Sequence, residues 1–161
     1  MERRRVEGAD AFLLKGNNDG AEMLIQCFGG TRSLAWFNLE FQIFTPHGID
    51  DIHFPRNYGC AHYKNSLYVA GGNFDSNSSI PCDFFYELHW RCGTRRAPLP
   101  TNRSHLSLAF LSSKSLVATG GVQGVEALKR AEMFLHTLDA WVGVPAMKEA
   151  RSSHASTGFL D

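Results

Sequence analysis

The sequence predicts an all-β fold made of about three four-stranded antiparallel units that follow one another along the chain. Two markers recur in phase with each other. One is a glycine pair that ends a short apolar run, and the other is an apolar residue, three variable residues and an arginine. Turn-forming residues separate the apolar runs, as expected of short strands. The 15 glycines among 161 residues exceed the usual share of roughly 7% and fit a turn-rich β structure.

The glycine marker is clearest in two segments that agree almost position by position. They are residues 66–72 (SLYVAGG) and 115–121 (SLVATGG), which lie 49 residues apart. A looser copy, residues 24–30, lies 42 residues before the first of them. Glycine permits backbone conformations and close approaches that larger residues prevent, so a glycine pair suits the end of a strand. We therefore expect the second strand of each unit to end at this marker.

The arginine marker occurs four times, at residues 1–5, 52–56, 99–103 and 147–151. Its arginines are spaced 51, 47 and 48 residues apart. An aromatic residue follows seven positions after each of the first three arginines and eight positions after the last. Within a unit we expect strand a after the arginine, strand b before the glycine pair, strand c rich in aromatic residues, and strand d before the next arginine.

Together these features resemble the kelch repeat of the kelch-like family. The unit that fits best contains Gly120, Gly121, Phe134, Trp141, Met147, Arg151 and His154. Kelch repeats are four-stranded β-propeller blades of roughly 50 residues. The resemblance therefore implies blades at roughly residues 1–55, 56–102 and 103–150, and a partial fourth at 151–161 that contributes one extra strand a.

Three blades and one strand predict an incomplete ring, because closed propellers have typically about 4 to 8 blades. The terminal blades would carry unpaired edges that favour association. We therefore expect the chain to be part of a longer propeller chain or to associate with another copy of itself.

The binding face follows from the alternating direction of the strands in a blade. The d–a connections and the b–c loops should open on the same face, with the arginines in an arc around the mouth of the channel. The predicted partner-binding residues are Arg5, Arg56, Asn57, Tyr58, Arg103, Ser104, His105, Arg151, Ser152 and Ser153. An arc of guanidinium groups suits carboxylates or phosphates. The pattern leaves two roles open for the arginines, which are ligand contact and bracing of neighbouring blades.

The resemblance implies a protein-interaction module without enzymatic activity, which recognises an acidic or phosphorylated segment of a partner. Kelch proteins include substrate-recognition parts of ubiquitin ligases and cytoskeletal scaffolds. The alternative is a kelch-propeller enzyme that acts on carbohydrate, of the oxidase or sialic acid epimerase type, since a fold alone does not decide function. All four tyrosines fall between residues 58 and 86, whereas a copper radical oxidase would draw tyrosine and histidine from several blades.

Charge and composition argue against several other classes of protein. The chain has 16 basic and 16 acidic residues, so its charge predicts no nucleic-acid or membrane partner. Its apolar runs are far shorter than the roughly 20 residues of a membrane helix, and its first residues do not resemble a signal peptide, so we expect a cytoplasmic protein. The seven histidines are scattered, and Cys27, Cys60, Cys82 and Cys92 form no Cys-x-x-Cys pair, so we predict reduced thiols, no metal and no cofactor.

Overall fold

The computed structural model describes residues 9–15, 22–28, 33–38, 43–48, 52–64, 66–74, 82–83, 85–89, 92–113 and 115–158. Twelve strands in these ranges form three four-stranded antiparallel sheets, and two short strands form a hairpin. These sheets confirm the predicted all-β fold class. The described residues contain no helix that is long and apolar enough to cross a membrane.

The first two sheets have the same strand order, in which each strand pairs with the next along the chain. The strands of the first sheet are β1 (Ala9–Lys15), β2 (Glu22–Phe28), β3 (Ser33–Asn38) and β4 (Ile43–Gly48). Those of the second sheet are β5 (Gly59–Tyr63), β6 (Ser66–Ala70), β7 (Phe85–His89) and β8 (Cys92–Arg95). Each sheet therefore corresponds to one blade with strands a, b, c and d in order.

The third sheet has a hairpin inserted between its second and third strands. Its strands and those of the hairpin are β9 (Ser107–Ser112), β10 (Ser115–Thr119), β11 (Val122–Gln123), β12 (Glu126–Ala127), β13 (Ala131–Leu135) and β14 (Ala140–Val144). The sheet order is β14-β13-β10-β9, and β11 pairs with β12 alone. This hairpin is the b–c loop of the third blade, so it belongs to the predicted binding face.

The second and third blades pack on each other through a shared apolar core. The ring of Phe85 lies 4.7 Å from the ring of Phe134 and 5.0 Å from that of Trp141, measured between centroids. The indole Nε1 of Trp141 also donates a hydrogen bond to the carbonyl oxygen of Ala97 at 2.9 Å. The aromatic residues of strands c and d in the third blade thus pack against the second blade.

All five residues of β6 are buried, because the two faces of this strand enter different cores. Leu67 and Val69 pack with residues of the preceding connection, while Tyr68 and Ala70 face the third blade. Successive side chains of a strand point to opposite faces, so a strand covered on both sides needs apolar residues throughout. This explains why Leu67 to Ala70, just before the glycine pair, form an uninterrupted run without polar alternation.

The glycine pairs stand where the chain bends tightly against a neighbouring backbone. Gly71 and Gly120 have φ angles of 67° and 58°, and Gly72 and Gly121 have φ angles of 101° and 102°. A Cβ atom added to Gly120 would lie 2.3 Å from the carbonyl oxygen of Arg151. Both the left-handed backbone and the close approach therefore require glycine here.

Replacing Gly120 with alanine should lower the free energy of unfolding by about 3 kcal/mol, because the left-handed strain and a steric clash add up. Gly124 provides a matched control, since its φ is also positive at 65° but a Cβ atom there meets nothing within 4 Å. Alanine at Gly124 should cost about 1 kcal/mol through backbone strain alone. Urea unfolding of both variants measures the difference, and equal losses would show that the close approach to Arg151 is unimportant.

The extra strand a expected over residues 151–161 is not present in its described part, residues 151–158. This segment nevertheless runs beside β9, where the hydroxyl of Ser156 donates a hydrogen bond to that of Ser107 at 2.5 Å. A hydrogen bond between side chains does not form a ladder with β9, so within residues 151–158 the expectation of a strand is corrected to an irregular segment. Residues 159–161 lie outside the described residues.

Candidate functional site

The connection that leads into a blade pairs with the b–c loop of the same blade. Arg56 and Asn73 exchange two backbone hydrogen bonds of 2.7 and 2.8 Å, and Ser104 and Val122 exchange two of 3.0 and 2.7 Å. The d–a connections and b–c loops therefore lie together on one face. Because the two bridges are equivalent, Arg56 occupies the position of Ser104 and not that of Arg103.

A second set of backbone hydrogen bonds fixes the position of the other arginines. The amide of Gly72 donates to the carbonyl oxygen of Arg103 at 2.9 Å, and that of Gly121 donates to the carbonyl oxygen of Arg151 at 2.8 Å. Arg103 and Arg151 are thus equivalent, and Pro55 takes their position in the second blade. The arginine marker is out of register by one residue there, which its spacing of 47 residues instead of 48 could have indicated.

Three residues with positive φ link successive connections at the start of each strand a. Asn57, His105 and Ser153 have φ angles of 55°, 54° and 51°. The amide of His105 donates to the carbonyl oxygen of Asn57 at 2.7 Å, and the amide of Ser153 donates to that of His105 at 2.9 Å. This chain of hydrogen bonds aligns the three positions along one rim. Such a backbone is uncommon for residues other than glycine and is held here by the surrounding turns.

Six of the ten predicted residues present surface at this rim. Five of them are exposed and His105 is half-buried. We call this set the rim residues, and they are Arg56, Asn57, His105, Arg151, Ser152 and Ser153. Arg5 lies outside the described residues. The rim residues carry two cationic side chains and no acidic one.

Arg103 is fully buried, which corrects its predicted role as a ligand contact. Its guanidinium forms an ion pair with Glu132 and donates hydrogen bonds to the carbonyl oxygens of Arg130, at 3.2 Å, and Ala118, at 3.4 Å. Burial lowers the pKa of the Arg103 guanidinium, while the Glu132 carboxylate opposes this shift. Of the two roles that the sequence left open, Arg103 therefore has the bracing one, and it fastens the connection to its own blade.

Tyr58 and Ser104 are also buried, so their predicted contacts with a partner are corrected in the same way. The exposed fraction is 8% for Tyr58 and 4% for Ser104. Tyr58 packs in an apolar cluster with Ile52 and Phe54, and the hydroxyl of Ser104 lies 3.1 Å from Nδ1 of His105. Both side chains are buried beneath the rim residues, so they position the rim backbone but do not reach its surface.

Arg151 is exposed although it is equivalent to the buried Arg103. The exposed fraction of its side chain is 58%, and its guanidinium contacts Glu149 at 3.2 Å. Arg103 is covered by β10 and β13, which come later in its own blade. Arg151 is exposed within the described residues and pairs there with a carboxylate that is exposed as well.

Sequence reasoning missed three cations on the same face. Two of them lie outside both repeat markers, and the third occupies a variable position of the arginine marker. Lys129, Arg130 and Lys148 are exposed on two neighbouring segments of the third blade. These segments pair through a hydrogen bond of 3.1 Å from the amide of Arg151 to the carbonyl oxygen of Leu128. Only the fold places the end of the b–c loop, residues 128–130, beside the next d–a connection, residues 147–151.

The described residues show no arrangement that indicates metal chemistry. No group of three or more His, Cys, Asp or Glu side chains in these ranges could hold a metal ion. Cys60 and Cys82 are free thiols. A cavity of about 500 Å³ lies between β5, β9 and residues 156–158, and its lining is mostly apolar and hydroxyl-bearing apart from Cys60, His62 and Lys64.

Two curated proteins of Caenorhabditis elegans are similar to this chain, whereas no protein-family model matches it. The Kelch repeat and BTB domain-containing protein F47D12.7 is 31% identical over 150 residues, covering 81% of this chain and 25% of that protein. The Kelch repeat-containing protein kel-10 is 27% identical over 158 residues, with the same shares of 81% and 25%. The chain therefore spans about a quarter of the length of the curated relatives that it matches.

Solved structures with very different sequences share the fold. A fungal alcohol oxidase of the AA5 family, in complex with copper, matches 88% of this chain and 32% of its own with a TM-score of 0.71 and 14% identity. The protein YjhT matches 93% of this chain and 58% of its own with a TM-score of 0.72 and 11% identity. Identities this low concern the fold alone. They agree with consecutive propeller blades that form part of a ring.

Proposed function

Since this chain is a kelch-repeat protein, we propose that it is a protein-interaction module whose rim residues bind a segment of a partner protein. The observation that carries this proposal is the hydrogen-bonded line of Asn57, His105 and Ser153, which holds equivalent polar positions of successive connections on one face. A rigid backbone with exposed polar side chains loses little conformational entropy on binding. Loops held by a rigid scaffold are also where binding residues are commonly found.

The partner segment that we propose is acidic. Arg56 and Arg151 are both exposed, and none of the six rim residues is acidic. The carboxylate paired with Arg151 is that of Glu149, which is itself exposed. Arginine binds carboxylates and phosphates through paired, charge-assisted hydrogen bonds. Complementary charge of this kind contributes mainly to specificity and to the rate of association.

We propose that the chain is not an enzyme and that it acts in the cytoplasm. The non-enzymatic role is supported by the similarity to two curated proteins that are named only for their kelch repeats and a BTB domain. Two biological roles suit such a module, which are substrate recognition for a ubiquitin ligase and a cytoskeletal scaffold. The BTB domain in the name of one relative supports the first, because it places kelch repeats beside a second domain in that protein.

Replacing Arg56 and Arg151 together with alanine should weaken partner binding at least tenfold, since each charge-assisted hydrogen bond contributes roughly 1.5 to 3 kcal/mol. The matched control replaces Lys64 and Arg95, two exposed cations outside the rim. The immobilised chain and both variants are incubated with an extract of the source cells, and captured proteins are quantified by mass spectrometry. Proteins held by the original chain and the control should be lost from the rim variant, with the melting temperature unchanged.

Capture of the same proteins in the same amounts by all three forms would overturn the role of the rim. The non-enzymatic role has its own test, which is metal analysis of the purified chain together with a screen for carbohydrate turnover. A stoichiometric metal ion or turnover of a sugar would replace our proposal with the enzyme alternative. Covalent attachment of ubiquitin to captured proteins in the presence of this chain would distinguish the ligase role from the scaffold role.

A further inference from the structure

The buried carboxylate of Glu132 is shared by two arginines, which leaves a surplus of positive charge at the surface. Glu132 is 2% exposed and pairs with the fully buried Arg103. Its Oε1 atom also lies 3.3 Å from Nε of Arg130 and accepts a hydrogen bond of 3.0 Å from the hydroxyl of Thr101. One carboxylate thus faces two guanidinium groups. The second of them, Arg130, has a side chain that is 64% exposed.

Contacts with Glu132 and Thr101 fix the Arg130 side chain, although most of its surface faces solvent. Its Nε atom contacts Glu132, and its Nη1 atom donates a hydrogen bond to the hydroxyl of Thr101 at 2.9 Å. A long surface side chain normally loses conformational entropy when it binds a partner. Arg130 has already lost part of that freedom in the folded chain, so its planar guanidinium is preorganised for an incoming anion.

Other cations surround Arg130 and form a basic patch on the third blade. The members of this patch are Lys129, Arg130, Lys148 and Arg151, all of them exposed. Two exposed carboxylates lie in the same segments, Glu126 and Glu149, and Glu149 is already paired with Arg151. Because the whole chain has a formal net charge of zero, this excess of cations is a local feature.

We propose that the basic patch is a second anchoring point for the partner and binds carboxylates of an acidic protein segment that extends from the rim across the third blade. This inference rests on the proposed function, since Arg151 belongs to both the rim and the patch. It adds Lys129, Arg130 and Lys148, none of which is a defining residue of either repeat marker. It also requires a partner segment long enough to pass from the start of strand a to the b–c loop.

The surroundings of the patch favour a protein segment over a nucleic acid. Proteins that bind nucleic acid through phosphates often make about 6 to 10 such contacts, which four cations cannot provide. The side chain of Val125, at the tip of the hairpin β11–β12, is 95% exposed and offers an apolar contact of the kind found in protein interfaces.

The test uses a fluorescein-labelled peptide of alternating glutamate and glycine, whose binding to the full chain is followed by fluorescence anisotropy at low salt. Arg130→Ala should weaken binding about tenfold, and Arg130→Lys should recover only part of it because lysine lacks the planar fork. The double variant Lys129→Ala with Lys148→Ala removes patch charges that contact no buried group, so it should weaken binding without changing the melting temperature. Lys64→Ala is the control and should change binding less than twofold.

The outcomes separate the patch from the rim. Loss of binding on replacing Arg56 alone, with patch variants unchanged, would overturn the patch and leave the proposed rim function standing. Loss in the patch variants alone would support the patch and contradict the rim. Failure of the peptide to bind, or binding of uridine-rich RNA or phosphatidylserine vesicles in its place through Arg130, would overturn the patch, and the capture experiment would then judge the rim independently.

Discussion

Replacing Arg103 with alanine is expected to lower the free energy of unfolding by about 3 to 5 kcal/mol, the usual loss when one partner of a buried ion pair is removed. Glu132 would remain buried, and its nearest other cation, Arg130, is held at 3.3 Å and mostly in solvent. The carbonyl oxygens of Arg130 and Ala118 would lose a donor as well. Urea unfolding followed by tryptophan fluorescence measures the loss.

Arg151 is the matched control for this experiment, because it is equivalent in the repeat but exposed. Its replacement by alanine should change the free energy of unfolding by less than about 0.5 kcal/mol. A similar loss for both variants would contradict the assignment of bracing to Arg103 alone. A small loss for both would show that the buried ion pair does not form.

A paired replacement should recover much of the stability lost in Arg103→Ala. The second blade has Pro55 and Tyr86 at the positions of Arg103 and Glu132, so the repeat accepts a less polar pair there. Replacing Arg103 and Glu132 together with leucine removes both buried charges, and such replacements are often neutral or stabilising. We expect the double variant to unfold at a higher urea concentration than Arg103→Ala. If the double variant is less stable than Arg103→Ala, the unpaired charge of Glu132 is not the main cause of the stability lost in Arg103→Ala.

Replacing Phe85 with alanine should lower the free energy of unfolding by about 3 to 5 kcal/mol, the range typical of a buried phenylalanine. Only 1% of Phe85 is exposed, and its ring contacts both Phe134 and Trp141 of the next blade. The cavity would therefore open at the junction of two blades and not inside one. Calorimetry and urea unfolding measure the loss, and a separation of the transition into two steps would indicate that the blades unfold independently.

Leu138 provides the control for Phe85, because its side chain is 69% exposed. Alanine there should change the free energy of unfolding by less than about 0.5 kcal/mol. A loss for Leu138→Ala as large as that for Phe85→Ala would place the stabilising core elsewhere. An unchanged transition for Phe85→Ala would contradict the packing of the second blade on the third.

The fold could be predicted well because its signals are local and repeated. In both described glycine pairs, the first glycine meets the backbone of the next connection and the second meets that of its own connection, each too closely for a side chain. This requirement is local to two adjacent residues. The aromatic Phe134 of strand c and Trp141 of strand d in the third blade cover Phe85 of the blade before it. The kelch resemblance built on these residues is confirmed. The extra strand was wrong within residues 151–158, because an arginine marker alone does not supply a ladder partner.

The candidate site could be predicted only in part, because its register depends on pairing between distant loops. The sequence alone determined that polar residues and arginines begin each strand a and that these starts share a face. Only the tertiary structure decided which arginines are available to a partner. Arg103 is buried because Glu132, 29 residues later, lies on the strand that folds back over it. Whether a side chain is exposed depends on the residues that pack over it, and those residues are distant in the sequence.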